Sequence, residues 1–296
     1  MICHSEPFCG EESAFELLEQ QIPPRFASLR VGMTNLFATI NVNRRSFSPS
    51  AISTIRKSTL NVNRTSLSPA EFVESVLKLQ PKLAVFDCDG TLWSGDAGEG
   101  FFSWEMKGGI VSKEVANVAR ARYAEYRLGK VSEDDMCGEM ATINHGLREA
   151  DVIRAADEYF NANIVGNIFP EMMELIQRLH KAGSDVWAVS STCDWVIEAG
   201  MKHFEIPADH ILAAKVVIEN GIVTDRLVRV PSGPGKPKAI REVIKREPDA
   251  AFGNSRWDAD MLAIARRAFA INPNPDLEER AREDGWMVYW PESVRK

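Results

Sequence analysis

Residues 83–92 read LAVFDCDGTL, four apolar residues followed at once by Asp87, Cys88, Asp89 and a glycine. The apolar part is too short for a helix and does not alternate with polar residues, which predicts a strand buried on both faces of a parallel sheet. Similar apolar runs occur at residues 186–189, 250–252 and 268–271. Residues 83–92 therefore predict a buried strand that ends in a pair of carboxylates.

Helical patterns separate these runs, for example in residues 172–179, where apolar residues recur at helical spacing. Strands that alternate with helices predict an α/β fold with a doubly wound, mostly parallel sheet. Only helices are predicted in residues 97–165, which indicates a helical cap inserted after the first strand. Residues 71–96 and 166–296 are then the Rossmann-like core, in which Asn220-Gly221 predicts a hairpin turn.

The first 70 residues differ from the rest of this chain of 296 residues. Residues 22–70 contain seven Lys and Arg but no Asp or Glu, and they are rich in Ser and Asn. Such a composition cannot bury a core, so residues 1–70 are predicted to be a flexible extension; an organelle-targeting segment is the alternative. Residues 22–70 contribute +7 to a net charge of −7, so the remainder of the chain carries −14, which argues against a nucleic-acid partner for the folded part.

Membrane insertion and export are not expected from this sequence. No apolar run approaches the ~20 residues that cross a bilayer, and no secretory signal pattern is present. The five cysteines are an odd number without a CxxC pair, which favours a reducing compartment and a cytoplasmic location.

Ligands of an open α/β sheet bind beyond the carboxyl ends of its strands. The residues expected at that edge are all polar: Asp87, Asp89, Ser190, Ser191, Thr192, Lys236, Asn254 and Asp258. Two carboxylates one residue apart can share a site and take different roles, one as a nucleophile and one as a proton donor. An oxygen-rich set suits Mg²⁺, and an ammonium group suits a phosphate.

Four segments, residues 83–92, 186–190, 235–236 and 253–262, resemble in order and spacing the motifs of the haloacid dehalogenase superfamily. The likeness covers residues 81–291, and the helical insert is most similar to the phosphoserine phosphatase branch. It implies that Asp87 is the nucleophile that forms an aspartyl phosphate. Asp89 would protonate the leaving alcohol and then activate water. Ser190 would bind the phosphate, and Lys236, which has a close rival in Lys238, would neutralise it and restrain Asp87.

The same resemblance implies a Mg²⁺ ion held by the Asp87 carboxylate, the main-chain carbonyl of Asp89 and the fourth motif, with Asn254 and Asp258. Members of the family usually carry an aspartate at the position of Asn254, so a weakened Mg²⁺ affinity is expected here. The acid at Asp89 favours a phosphatase over a dehalogenase, because displacement of halide needs no proton donor.

The substrate is expected to be a small phosphorylated metabolite. Asp96 lies where the phosphoserine-specific branch places a glutamate that meets the substrate ammonium, although a surface carboxylate is the alternative. Trp93 and Trp195 are either core residues or aromatic walls for an ammonium group. The sequence thus predicts a Mg²⁺-dependent phosphomonoesterase acting on phosphoserine or another amine-bearing ester. The alternatives are a phosphotransferase and a phosphate-binding or regulatory module without turnover. The oligomeric state is not predicted.

Overall fold

A seven-stranded sheet forms the centre of the computed structural model, which describes residues 67–294. The strand order is β4-β3-β2-β1-β5-β6-β7. The bounds are β1 Leu83–Phe86, β2 Asp185–Cys193, β3 Ile211–Glu219, β4 Ile222–Arg229, β5 Ala250–Gly253, β6 Arg267–Ile271 and β7 Met287–Tyr289. Neighbouring strands pair in parallel except for β3 and β4. The predicted α/β fold with a mostly parallel sheet is confirmed.

The antiparallel pair is the hairpin expected at Asn220-Gly221. Both residues have positive φ, 52° and 76°, as a two-residue hairpin turn of the tight primed type requires. The hairpin extends the sheet at one edge, next to the longest parallel strand, β2.

Helices flank the sheet or follow one another between β1 and β2. Their bounds are α1 Pro69–Leu77, α2 Ala97–Gly108, α3 Lys113–Arg127, α4 Glu133–Thr142, α5 Glu149–Asn163, α6 Pro170–Lys181, α7 Asp194–Met201, α8 Gly235–Ala239, α9 Ala259–Ala263 and α10 Pro275–Asp284. The consecutive helices α2 to α5 occupy the segment that we propose as the cap, residues 97–165. In residues 67–294 no helix combines the length and apolar character that a membrane span needs.

Apolar side chains cover both faces of the sheet, which explains the unbroken apolar strands. On one face the rings of Phe86, Phe252 and Phe269 stack across neighbouring strands, with centroids 4.2 and 4.8 Å apart. On the other face Val85 and Ala251 join a second buried cluster. A third cluster, which includes Phe102 and Met136, packs among the proposed cap helices. Residues that alternate along a strand therefore reach different apolar layers.

Helix α1 begins earlier than the predicted end of the N-terminal extension at residue 70. Ser68 caps it by accepting a hydrogen bond from the amide of Glu71, and Pro69 occupies its first turn. Phe72 is fully buried and its ring stacks on Tyr289, with centroids 3.9 Å apart. Pro69 and Ala70, the first two residues of α1, thus fall within the segment 1–70 that the sequence predicts to be an extension. The rest of the predicted extension, residues 1–66, lies outside the described residues.

Candidate active site

A cavity of about 500 Å³ opens at the carboxyl ends of β1, β2 and β5. One wall comes from the loops that follow these strands, and the opposite wall comes from α2, α3 and α4. The cavity is lined by all nine residues singled out in the sequence: Asp87, Asp89, Asp96, Ser190, Ser191, Thr192, Lys236, Asn254 and Asp258. The structure therefore brings together residues that are up to 171 positions apart in the sequence.

Lys236 lies at the centre of a buried ionic group. Its Nζ donates to Asp87 Oδ1 at 2.7 Å, to Asp258 Oδ1 at 2.5 Å and to the main-chain oxygen of Val189 at 2.9 Å. The three charged side chains are almost fully buried. Lys238, the rival lysine in the sequence, is exposed, because the two residues project from different sides of α8. Lys236 is thus the lysine that contacts both carboxylates.

The geometry of Asp87 follows from its place at the end of β1. Its amide donates to the carbonyl of Phe252 in β5, which continues the ladder by one residue and fixes the main chain. Thr91 Oγ1 donates to Asp87 Oδ2 at 2.9 Å. Burial, and next the charge of Asp258, raise the pKa of Asp87 to about 6, although Lys236 opposes both. Asp87 is therefore still ionised at neutral pH.

The charge of Lys236 is secured by the same contacts. Burial by itself lowers the pKa of this ammonium, but the nearby carboxylates of Asp258 and Asp87 outweigh burial and raise it. A fixed positive charge next to an ionised carboxylate can hold that carboxylate in position and attract a phosphate group.

Asp89 has a different environment from Asp87, two residues before it. Its Oδ1 accepts from Trp93 Nε1 at 2.8 Å and from the amide of Ala97 at 2.6 Å, and its Oδ2 accepts from Thr192 Oγ1 at 2.7 Å. Burial, and next the charge of Asp96, raise the pKa of Asp89 to about 7. At neutral pH this carboxyl group is therefore populated in both its protonated and its ionised form, as a general acid and base requires.

Strand β2 is longer than its apolar run indicates. The run ends at Val189, but the strand continues to Cys193 with a shift in register against β3, so Ser190 and Thr192 lie within the strand. The Ser190 hydroxyl accepts from the amide of Thr192 at 3.1 Å. Thr192, predicted as a substrate-binding residue, contacts Asp89 in this structure. Ser191 lines the cavity directly.

Asp258 and Asn254 form the part of the site that follows β5. Asp258 Oδ2 accepts from the amides of Asn254 and Ser255, both at 2.9 Å, and its Oδ1 accepts from Lys236. The Asn254 side chain lies directly over Gly90, where a Cβ would be 1.9 Å from Asn254 Nδ2. Only glycine allows this approach, so the loop after β5 touches the loop that carries Asp87 and Asp89.

The composition of the site fits a divalent cation. Asp87 and Asp258 bind the ammonium of Lys236, and Asp89 lines the same cavity, so these four groups carry a net charge of −2 when all are ionised. The nearby donors are oxygens, the type that Mg²⁺ prefers. Both Asp258 oxygens already accept hydrogen bonds, whereas the side-chain oxygen of Asn254 accepts none from the described residues. Accepted hydrogen bonds do not exclude a metal ligand, since both oxygens of Asp87 also accept them, so Asn254 and Asp258 both stay predicted ligands, the charged Asp258 with the larger share.

The cavity wall on the cap side was not foreseen from the sequence. It carries Glu99 from α2, Glu133 from α4, and Tyr123 and Tyr126 from α3, with Arg127 beside them. The Tyr126 hydroxyl donates to Glu133. The pKa of Tyr123 is raised, first by burial and next by a hydrogen bond with Glu99. In sequence these residues look like ordinary surface positions of amphipathic helices, and only helix packing places them on one wall.

Asp96 and the two tryptophans have roles that the sequence left open. Asp96 lines the cavity and is also the N-cap of α2, with Oδ1 accepting from the amide of Glu99 at 2.7 Å. Trp93 and Trp195 are buried in the core and do not form walls for an ammonium group. The alternative of core tryptophans is the right one, although the indole N–H of Trp93 binds Asp89.

Comparisons with known proteins agree with this geometry. The family model of the haloacid dehalogenase-like hydrolases matches residues 84–263. Phosphoserine phosphatase SerB1 of Mycobacterium tuberculosis is 27% identical over 218 residues, which cover 69% of each chain. Histidinol-phosphatase of Neisseria meningitidis serogroup C is 23% identical over 70% of this chain and 97% of its own. A crystal structure of a Bordetella pertussis Tohama I protein of unknown function has a TM-score of 0.62 at 20% identity, covering 70% of this chain and 97% of that one.

The chain belongs to the haloacid dehalogenase-like hydrolases and is a phosphatase-type enzyme of that family. The resemblance to the phosphoserine phosphatase branch is confirmed as a similarity of sequence and fold.

Proposed function

We propose that the protein is a Mg²⁺-dependent phosphomonoesterase that hydrolyses a small phosphorylated metabolite through an aspartyl-phosphate intermediate. The observation that carries this proposal is the contrast between Asp87 and Asp89 in one cavity. Asp87 is ionised at neutral pH and held by Lys236 and Thr91, whereas Asp89 exchanges its proton near pH 7. The three free cysteines among residues 67–294 support a cytoplasmic location.

The reaction would proceed in two steps on this geometry. A carboxylate oxygen of Asp87 attacks the phosphorus atom, the bond from phosphorus to the ester oxygen breaks, and Asp89 gives its proton to the departing alkoxide. Asp89, now ionised, then takes a proton from a water molecule whose oxygen attacks the same phosphorus and releases Asp87. Lys236 and Ser190 would bind the phosphoryl oxygens, and Trp93, Ala97 and Thr192 hold Asp89 for both transfers.

Mg²⁺ would be held by the Asp87 carboxylate, the main-chain carbonyl of Asp89, the Asn254 side chain and, with a larger share than the uncharged Asn254, Asp258. When bound, it would neutralise the charge on the transferring phosphoryl group. The described residues contain no cluster of three or more His, Cys, Asp or Glu side chains arranged as a metal site, so main-chain and amide oxygens would complete the set.

Asn254→Asp is expected to lower the Mg²⁺ concentration needed for half-maximal activity by roughly 10-fold, because a charged ligand replaces a neutral one. The measurement is a Mg²⁺ titration of phosphate release at saturating substrate, and Asn274→Asp, on the same cavity wall, is the control. An unchanged half-maximal concentration would show that Asn254 does not bind the metal.

The class of reaction is tested by measuring phosphate release from a panel of phosphorylated metabolites, with Mg²⁺ and with EDTA. A phosphomonoesterase releases one phosphate for each substrate consumed, whatever alcohol is added. If added alcohols lower this ratio, the enzyme is a phosphotransferase. If no substrate in the panel is consumed, it is a binding module.

The cap-side wall supports a substrate that carries an amine or another cationic group. Glu99, Glu133 and Asp96 contribute three carboxylates to the cavity, against the one guanidinium of Arg127. The tyrosine rings beside them, 5.7 Å apart, add aromatic surface that suits a cation. Phosphoserine and histidinol phosphate, the substrates that the names of two relatives imply, both carry an amine, but phosphoserine also carries a carboxylate that this wall would repel. We therefore favour an amino-alcohol phosphate without a carboxylate.

Glu133→Gln is expected to raise KM for phosphoethanolamine or histidinol phosphate roughly 10-fold, because a charge-assisted contact becomes a neutral one. The KM for p-nitrophenyl phosphate, which has no cation, should stay within about 2-fold. Glu125→Gln, at an exposed position of α3, is the matched control. Equal changes for charged and uncharged substrates would contradict this assignment.

A further inference from the structure

Two fully buried polar side chains face each other in the segment of helices α2 to α5. Glu105 lies on α2, two turns after Ala97, and Asn144 lies in the turn after α4. Asn144 Nδ2 donates to Glu105 Oε2 at 3.3 Å. The remaining oxygens of the same two groups, Glu105 Oε1 and Asn144 Oδ1, have no hydrogen-bond partner among the described residues.

Protonation of Glu105 would give a hydrogen bond to both unpaired oxygens, Glu105 Oε1 and Asn144 Oδ1. An ionised carboxylate has acceptors only, as does the amide oxygen, so Glu105 Oε1 and Asn144 Oδ1 could not satisfy each other. A carboxylic acid instead supplies one O–H donor, which matches the free amide oxygen. The two groups can then form a closed pair with one hydrogen bond in each direction.

The surroundings of Glu105 offer no charge that would keep it ionised. In the part of the chain that the structure describes, no lysine, arginine or histidine forms an ion pair with it, and burial raises its pKa well above the ordinary value. The other titratable group that faces it is the thiol of Cys193 in β2, and burial also raises the pKa of that thiol. Burial thus disfavours the charged form of both groups.

This pair connects two segments that determine the shape of the proposed active site. The first amide of α2, that of Ala97, donates to Asp89, so the position of α2 affects the proposed general acid. The turn after Asn144 is fixed to the β3–β4 hairpin, because Gly146 donates to the carbonyl of Val223 and Val223 donates to that of Leu147. A link between Glu105 and Asn144 therefore ties α2 to the sheet through this turn.

We propose that Glu105 is a neutral carboxylic acid whose O–H donates to Asn144 Oδ1, and that this acid–amide pair is a positioning element for α2 and hence for Asp89. The part that concerns Asp89 rests on the proposed function. The pair contains one proton that the unfolded chain loses above about pH 4.5. The native state therefore binds the extra proton, and stability falls as pH rises from that value toward the higher native pKa.

The test compares wild type with Glu105→Gln, Glu105→Ala and the control Glu158→Gln, an exposed position on α5. Infrared difference spectra at pH 7 are expected to show a carbonyl band of a protonated carboxylic acid that is present in wild type and in the control and lost in both Glu105 variants, whereas the band of the partly protonated Asp89 remains in all four proteins. Urea unfolding should give a loss of stability from pH 6 to pH 9 that is smaller in Glu105→Gln, because glutamine keeps both hydrogen bonds without a proton that titrates.

Activity completes the test. We expect Glu105→Gln to retain kcat within about 2-fold, and Glu105→Ala to lower kcat roughly 10-fold with little change in KM for p-nitrophenyl phosphate. Absence of the infrared band, or the same pH dependence of stability in wild type and Glu105→Gln, overturns the proposal even if Glu105→Ala does not fold. The spectra and the unfolding curves need no turnover, so a failure of the proposed function would be recognised separately.

Discussion

Asp87→Asn is expected to lower kcat/KM for p-nitrophenyl phosphate by at least ~10⁴-fold, because an amide cannot accept the phosphoryl group as a nucleophile. Asparagine has the same shape, and its single side-chain oxygen can still accept from one of the two donors, Thr91 or Lys236, that bind Asp87. Lys236 keeps Asp258 as its counter-charge, so the fold should be retained. The measurement is phosphate release at saturating Mg²⁺, with circular dichroism to verify folding.

The control for this substitution is Asp225→Asn on β4, where the side chain is exposed. Its activity should stay within about 2-fold of wild type. Retention of more than about 1% of activity by Asp87→Asn would contradict nucleophilic catalysis by this residue.

Loss of activity alone does not separate the nucleophile from a metal ligand, since Asp87 is proposed for both roles. Detection of the covalent intermediate separates these two roles. Wild type quenched in acid during turnover of a labelled ester should contain label on the protein, and hydroxylamine should release it, as expected for an acyl phosphate. With p-nitrophenyl phosphate, whose leaving group needs no proton donor, Asp89→Asn should accumulate more label, because it lacks the base that activates water. If the wild-type protein carries no label, the phosphoryl group is transferred directly to water, without a covalent intermediate.

The parts of the fold that could be predicted from the sequence follow from local patterns. A strand covered on both faces must be apolar at every position, so β1, β5 and β6 appear as unbroken runs. The carboxyl ends of parallel strands meet at one edge, so Asp87, Lys236 and Asp258 could be expected together although they are far apart in the chain. The hairpin at Asn220-Gly221 follows from the positive φ that its turn requires.

Other features depend on packing that no local pattern records. Trp93 binds Asp89 because the chain folds back within four residues, and Thr192 reaches it because β2 continues past its apolar run. Glu105 and Asn144 are 39 residues apart, and although both have apolar neighbours in sequence, no local pattern shows that the two polar side chains meet. The choice between Lys236 and Lys238 depends on the rotation of α8, which two residues of sequence cannot determine.

Lys236→Met is expected to cost about 3–5 kcal/mol of unfolding free energy at pH 8, because it leaves Asp87 and Asp258 buried without a cation. The loss should be smaller at pH 5.5. Without the ammonium the native pKa of Asp87, which burial already raises above its unfolded value, rises further, so protonation of Asp87 removes the repulsion and stabilises the native state as pH falls. Urea unfolding at both pH values measures this difference.

Lys238→Met is the matched control, two residues along the same helix but exposed, and it should change stability by less than about 0.5 kcal/mol. The double variant Lys236→Met with Asp258→Asn should recover part of the loss, since one of the two opposed charges is removed. Equal stability of the Lys236 and Lys238 variants would mean that the carboxylates do not depend on this ammonium. Lys236 also contacts the proposed nucleophile, Asp87, and is proposed to bind the phosphoryl oxygens. Phosphate release by Lys236→Met should therefore fall by roughly 10³-fold even at a pH where the protein remains folded.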